Sequence, residues 1–220
     1  MGSKNSFCIN ITKQGRFKNE MVNSFYHKAS YQGSAYTLSQ LPPDKGIEVA
    51  FAGRSNVGKS SAINAITNIK GLARISKTPG RTQMINFFQL DASRYLVDLP
   101  GYGYAKVPES VKQQWRLLLS SYLEQRYSLR GIVLVMDIRH LLQPFDVQML
   151  EWCQSRGLPV RVLLTKSDKL KQGAAKQACQ KVTTYLQEFF PFAQTQLFSA
   201  HTRVGIEEIQ AQLDIWFNLT

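Results

Sequence analysis

From residue 47 onward, short apolar runs take turns with stretches whose apolar residues recur every three or four positions. Residues 47–52 are mostly apolar and β-prone, and predict a buried strand. Ala62, Ile63 and Ile66 then share one face of a helix over 61–66. Residues 84–90 and 95–99 predict a hairpin about Asp91, Ala92 and Ser93. Val111, Trp115, Leu118 and Tyr122 fall on one face of a helix over 108–129. The run 131–137 has no polar alternation, as in a central parallel strand covered on both faces. A helix over 146–156, stopped by Gly157 and Pro159, leads to a second such strand at 160–164. A polar helix over 169–190 ends at Pro191, and a last strand is expected at 197–200. Ile206, Ile209, Leu213 and Trp216 pattern a final amphipathic helix.

Before residue 47 no period is sustained, so the chain divides into an extension, 1–46, and a domain, 47–220. The first twenty positions are expected to be disordered, and Met21 is an alternative start. Phe25, Tyr26, Tyr31 and Tyr36 suggest that 25–41 dock on the domain before Pro42 and Pro43 break the chain.

Composition narrows the class. No apolar run nears the roughly 20 residues of a membrane span, and no signal peptide opens the chain. Cys8, Cys153 and Cys179 are odd in number, far apart and without a C-x-x-C pairing, as expected of free thiols in a reducing cytoplasm. His27, His140 and His201 are isolated, which disfavours a zinc site. The formal charge of +12 suits a surface that meets polyanions (RNA, DNA or acidic lipid) or one that is merely soluble. With no aromatic RNA-reading motif or zinc knuckle, any nucleic-acid contact should be to backbone and shape.

Candidate chemistry is concentrated between the elements. Gly53, Arg54, Ser55, Asn56, Val57, Gly58, Lys59 and Ser60 match G-x-x-x-x-G-K-[ST] without a mismatch, between a strand and a helix. The glycines let backbone N–H groups converge on phosphate oxygens, Lys59 reaches the outer phosphates, and the Ser60 hydroxyl ligates Mg²⁺. The Gly-, Lys- and Thr-rich stretch 69–86 sits where a nucleotide-sensing switch would lie; Thr78 or Thr82 could offer Mg²⁺ a second hydroxyl. Asp98, Leu99, Pro100 and Gly101 form D-x-x-G at the end of a strand, placing Asp98 to hold Mg²⁺ through water. Gly101 could then meet the γ-phosphate and begin a second switch, 101–107. Thr165, Lys166, Ser167 and Asp168 match a guanine-recognition element: Asp168 accepts from the base N1–H and 2-amino group, which adenine lacks. Lys166 lays its stem across the base, and the Ser199–Ala200 backbone after Phe198 meets the guanine O6. A helix cap at Asp168 is the plainer alternative.

In this order the motifs resemble a small GTPase-type G domain, a phosphate-loop α/β fold with helices on both faces of the sheet. The text around Gly53–Ser60, Thr78–Gln83, Asp98–Ala105, Asp137–His140 and Thr165–Asp168 resembles the bacterial YihA/EngB/YsxC GTPases, within the TrmE-Era-EngA-EngB-septin-like group. The likeness covers about residues 30–220. It implies six strands, mostly parallel with one antiparallel, and Ser60 and Thr82 as the side-chain Mg²⁺ ligands. It lays Gly80, Arg81, Thr82, Gln83 and Met84 along GTP and gives Lys59 and Thr82 the catalytic roles. A cytoplasmic monomer is expected, a slow GTPase acting in large-subunit ribosome assembly and needed for cell division and septation, with ribosomal RNA or precursors as partner. A division scaffold without a ribosome role is the alternative; an ATP-using kinase is disfavoured by Thr165–Asp168 and the lack of a lid.

Tyr102 follows Gly101 where Ras-like proteins carry a water-orienting Gln, so unassisted turnover on the order of 10⁻⁴–10⁻² s⁻¹ is expected. Asn56 resembles the phosphate-loop Asn that ligates K⁺ in cation-stimulated relatives; a polar loop residue bonding its own backbone is the alternative. Arg74 and Arg81 could touch phosphates, solvent or RNA.

Overall fold

The computed structural model describes residues 24–74, 84–102 and 109–219, with backbone alone at 109–112, 114 and 115. Seven strands make one sheet: β1 (Ser30–Ala35), β2 (Ile47–Gly53), β3 (Ile85–Gln89), β4 (Arg94–Asp98), β5 (Leu129–Asp137), β6 (Val160–Thr165) and β7 (Ala193–Leu197), in the order β1-β3-β4-β2-β5-β6-β7. β2 lies between β4 and β5, parallel to both. β3 is antiparallel to β4 and to β1, so it alone runs against the other six.

The two strands read as unalternating runs are covered twice. Val49, Phe51, Val133 and Val135 face α1 (Lys59–Thr67) and α5 (Ile206–Trp216), packing with Ile63, Ile66, Ile209 and Leu213. Their neighbours Ala50, Ala52, Ile132, Leu134 and Met136 face α2 (Glu109–Gln125), α3 (Pro144–Arg156) and α4 (Gln172–Phe189). Burial on both faces removes the need for polar alternation. Gly131 marks a close approach: a Cβ there would stand 2.7 Å from the Trp216 ring, so glycine lets α5 lie on the sheet.

Three expectations are corrected. The sheet has a seventh strand, because 30–35 of the extension add to the β3 edge. Their sequence, with Gly33 inside and mostly exposed side chains, has little strand signal of its own; pairing with β3 supplies it. α2 ends at Gln125 and not at 129, because Asp44 accepts from the Tyr127 and Ser128 N–H groups at 2.8 Å each, and Leu129 already opens β5. The last strand is 193–197, ahead of the expected 197–200. It is polar, and the amide nitrogen of its buried Gln196 donates to the Gly205 carbonyl at 2.8 Å.

The expected docking of 25–41 is present through Tyr26 and the β1 backbone, while Tyr31 and Tyr36 remain exposed. Tyr26 in a 3₁₀ turn (Ser24–Lys28) is wholly buried and donates to Asp214 of α5 at 2.6 Å. The first twenty residues, Met21, Val111 and Trp115 lie outside what is described of backbone or side chain. No described helix is long and apolar enough to cross a membrane.

Candidate nucleotide site

The C-terminal ends of β2, β4, β5 and β6 share one edge, where ligands of open parallel sheets sit. β2 hands the chain at Gly53 to a turn that enters α1 at Lys59. A Cβ on Gly53 would stand 2.5 Å from the Val135 carbonyl, and Gly58 has φ +102°, so both positions require glycine. The first N–H groups of α1 have no carbonyl ahead of them in the helix and point into the turn.

Asp98 is buried at the end of β4, level with Phe51 of β2, and pairs with the buried Lys59 ammonium. Ser60 sits one residue on, half-buried. Hard oxygens from Ser60 and Asp98 beside an N-terminal helix turn fit a Mg²⁺ that takes its remaining ligands from phosphate and water. The D-x-x-G backbone is laced to the turn: Ser55 N–H donates to the Tyr102 carbonyl at 2.9 Å, and Tyr102 N–H to the Gly53 carbonyl at 3.3 Å.

Tyr102 itself is turned away from the phosphate turn. Its hydroxyl donates to Asp146 of α3 at 2.7 Å, both side chains buried, and its ring lies 5.8 Å from Phe145. Burial raises the pKa of the Tyr102 phenol well above its ordinary value and raises that of the Asp146 carboxyl too. Asp146 also accepts from Gln143 N–H at 3.0 Å, capping α3. Sequence reasoning did not find Asp146; nothing local marks it.

At the other end, a cavity of about 340 Å³ is lined by Gly58, Thr165, Lys166, Asp168, Phe198 and Ala200 among others. The buried Thr165 hydroxyl lies 2.5 Å from the Val57 carbonyl and 2.9 Å from that of Met136, tying β6 to the phosphate turn and β5. Lys166, left-handed at φ +59°, runs over the turn and donates to the Asn56 carbonyl at 2.7 Å and to Asp137 at 2.9 Å. Asp137, singled out in the sequence only as part of the family text, was given no role there. Burial opposes its ionisation, but Arg139 and Lys166 outweigh that and hold its carboxyl far below the usual range. Asp168 accepts from the buried Ser199 hydroxyl at 2.7 Å, which lowers its pKa, with Lys169 3.5 Å away on its other oxygen. The cap alternative is not seen, since Asp168 lies inside a 3₁₀ turn (Ser167–Lys169) and α4 is capped at Lys171. Ser167 N–H donates to the Phe198 carbonyl, so the two base-end segments are stitched together.

The structure thus brings together 53–60, 98–101, 165–168 and 198–200. Met84 stands just before β3, while Thr78, Gly80, Arg81, Thr82, Gln83 and most of the second switch lie outside the described residues. The Asn56 side chain is exposed, left-handed at φ +64°, and has no hydrogen-bond partner among the described residues, so the self-bonded alternative is not seen. Thr165→Val should cost about 1–2 kcal/mol, weakening GDP binding about five- to thirty-fold by titration, because two buried carbonyls lose their shared donor.

Comparison with known proteins returns the same picture. Residues 48–166 match the family model described as 50S ribosome-binding GTPase. The chain is 78% identical over 198 residues to the "probable GTP-binding protein EngB" of Nitrosococcus oceani, covering 90% of this chain and 99% of that one. Against the same-named protein of Coxiella burnetii it is 55% identical over 192 residues, covering 87% and 94%. Among solved structures it is similar in fold to Era in complex with MgGDPNP and nucleotides 1506–1542 of 16S ribosomal RNA, at TM-score 0.60 and 21% identity over 78% of this chain and 57% of that one.

Proposed function

This chain belongs to the EngB family of GTP-binding GTPases, and on that premise we propose that it is a GTP-controlled switch in assembly of the large ribosomal subunit, on which normal division and septation depend. The observation that carries the reading is the pairing, on one sheet edge, of a glycine phosphate turn with a base cavity whose carboxylate is Asp168. The family's description as ribosome-binding, the charge of +12, and the Era structure solved with ribosomal RNA support the partner.

In the proposed mechanism, the backbone of 53–60 and Lys59 hold the phosphates, while Asp168, Lys166 and the 198–200 backbone hold the base. Ser60 and Thr82, with Asp98 through water, would hold Mg²⁺, which supplies neutralisation of charge on the β- and γ-phosphate oxygens. Gly80–Met84 and 98–101 close on the γ-phosphate and release it after hydrolysis. With Tyr102 engaged by Asp146, no side chain at that position aligns the water, so turnover without a partner stays on the order of 10⁻⁴–10⁻² s⁻¹. The Asn56 amide, without a partner among the described residues, would ligate K⁺ at the turn. Hydrolysis should therefore run faster in KCl than in NaCl; equal rates, with and without ribosomal particles, remove the potassium role.

Sucrose-gradient co-sedimentation tests the partner. The chain should travel with large-subunit precursors in a non-hydrolysable GTP analogue and leave them in GDP. Absence from those fractions in both nucleotides rejects the ribosomal reading and leaves a division scaffold.

A further inference from the structure

Beyond the base cavity, on the far side of Ala200, lies a broader open cleft of about 730 Å³. Its polar lining is Ser61, Asn64, Asn68, Lys70, Arg74 and Arg203, with no carboxylate among the described residues. The cleft is built and not merely a gap between loops. Asn64 clamps the loop after α1 from both sides: it accepts from Ala73 N–H at 2.7 Å and donates to the Ala73 carbonyl at 2.9 Å. Arg203 is held left-handed at φ +61° on a turn closed by Ser199 N–H to the Val204 carbonyl, and it reaches across to donate to Asn68 at 3.3 Å.

Among the described residues the charge there is uncompensated. Arg94, Arg126, Arg139 and Arg161 each have a carboxylate within 4.0 Å; among the described residues Lys70, Arg74 and Arg203 have none. The carbonyl end of α1 faces this region, but a helix terminus offers only about half a negative charge. Three cations against that leave the cleft strongly positive.

We propose that this cleft grips the phosphodiester backbone of RNA. Guanidinium and ammonium groups around a concave, amide-lined surface suit successive phosphates. A lipid surface would need a large apolar element to insert, and the apolar side chains of the cleft are three alanines, Ala65, Ala73 and Ala200. The position adds a consequence: Arg74 lies within the first-switch stretch 69–86, and Arg203 lies three residues beyond Ala200 of the base cavity. RNA held here touches both segments that flank the nucleotide. The inference rests on the ribosomal reading above and specifies where the RNA sits.

The test is the salt dependence of binding of the full chain to transcribed large-subunit ribosomal RNA. Lys70→Gln with Arg203→Gln should lower the slope of log K against log salt by about 1.4, at about 0.7 per phosphate contact on a single strand. Lys176→Gln with Lys181→Gln, on the exposed face of α4, should leave the slope unchanged, and GDP titration should be unchanged in both. If the native chain binds RNA with a steep slope that the first pair does not alter, or that both pairs lower equally, the cleft is not the site. If the native chain shows no salt-dependent RNA binding, the ribosomal reading fails with it. If anionic vesicles bind the native chain better than RNA and the first pair abolishes that, the ligand is lipid and the proposal is overturned.

Discussion

Asp168→Ala should lose saturable uptake of labelled GDP at concentrations that fill the native chain, a weakening of about a hundred-fold or more. The base offers the carboxylate two donors, and hydrogen bonds to a charged group are each worth about 1.5–3 kcal/mol. Two such bonds make about 3–6 kcal/mol, or roughly 10²–10⁴ in affinity. The buried Ser199 hydroxyl holds one oxygen of Asp168 in place, so little of that sum is spent ordering the side chain. Asp168→Asn separates recognition from folding. It replaces one acceptor by a donor, so a base with a carbonyl in place of the 2-amino group, xanthine, should now be preferred over guanine while adenine is still refused. The pH profile follows from the same bond. Ser199 lowers the Asp168 pKa, so the carboxylate stays charged above its ordinary range near 3.9 and would be lost only on falling through a lower value. GDP binding should therefore not weaken on its account between pH 8 and pH 5. A variant at 168 that binds GDP as the native chain does would remove the guanine site altogether.

The parts of this site that could be read from the chain are those in which chemistry and local structure coincide. A glycine turn between an apolar run and a helix face carries its own geometry, as does D-x-x-G at a strand end. Thr165–Asp168 could be read for the same reason, and Thr165 turns out to do more than was expected of it, joining three elements through one hydroxyl. The rest depends on pairings between residues distant in sequence. Tyr102 reads as a substitution for Gln, but that its hydroxyl is engaged by Asp146, 44 residues on, is a product of α3 packing. Asp137 reads as the end of a strand, and its hold on Lys166 needs β5 and β6 side by side. The strand from the extension is the clearest case: half-exposed, glycine-containing and polar, it becomes a strand only against β3. Boundaries moved where a polar group, the buried Gln196 or the more exposed Asp44, found a partner outside its own segment.

The largest effect on stability is expected far from the nucleotide. Glu48 opens β2, 1% exposed, and both its oxygens are used: Arg126 donates from Nη2 at 2.5 Å and from Nε at 3.1 Å, and the Tyr122 hydroxyl at 2.7 Å. Arg126, itself buried, also donates to the Pro42 carbonyl at 2.8 Å and lies 3.6 Å from Asp44. This network therefore fastens the Pro42–Pro43 break, β2 and the end of α2 to one another. Glu48→Ala leaves a guanidinium with only a half-exposed second carboxylate and a phenol with no acceptor. Breaking a buried pair in this way costs about 3–5 kcal/mol, a fifth or more of the roughly 5–15 kcal/mol that holds a domain together. Urea unfolding should show that loss as a lower midpoint with an unchanged slope. Glu48 lies at the opposite end of β2 from Gly53, about 16 Å away at strand spacing, so GDP affinity measured in the cold should be close to native. Removing both charges, as Glu48→Leu with Arg126→Met, should recover much of the loss, because an apolar pair leaves no uncompensated ion. If the single variant loses under about 1 kcal/mol, water reaches Arg126 in solution and the extension is not fastened through it.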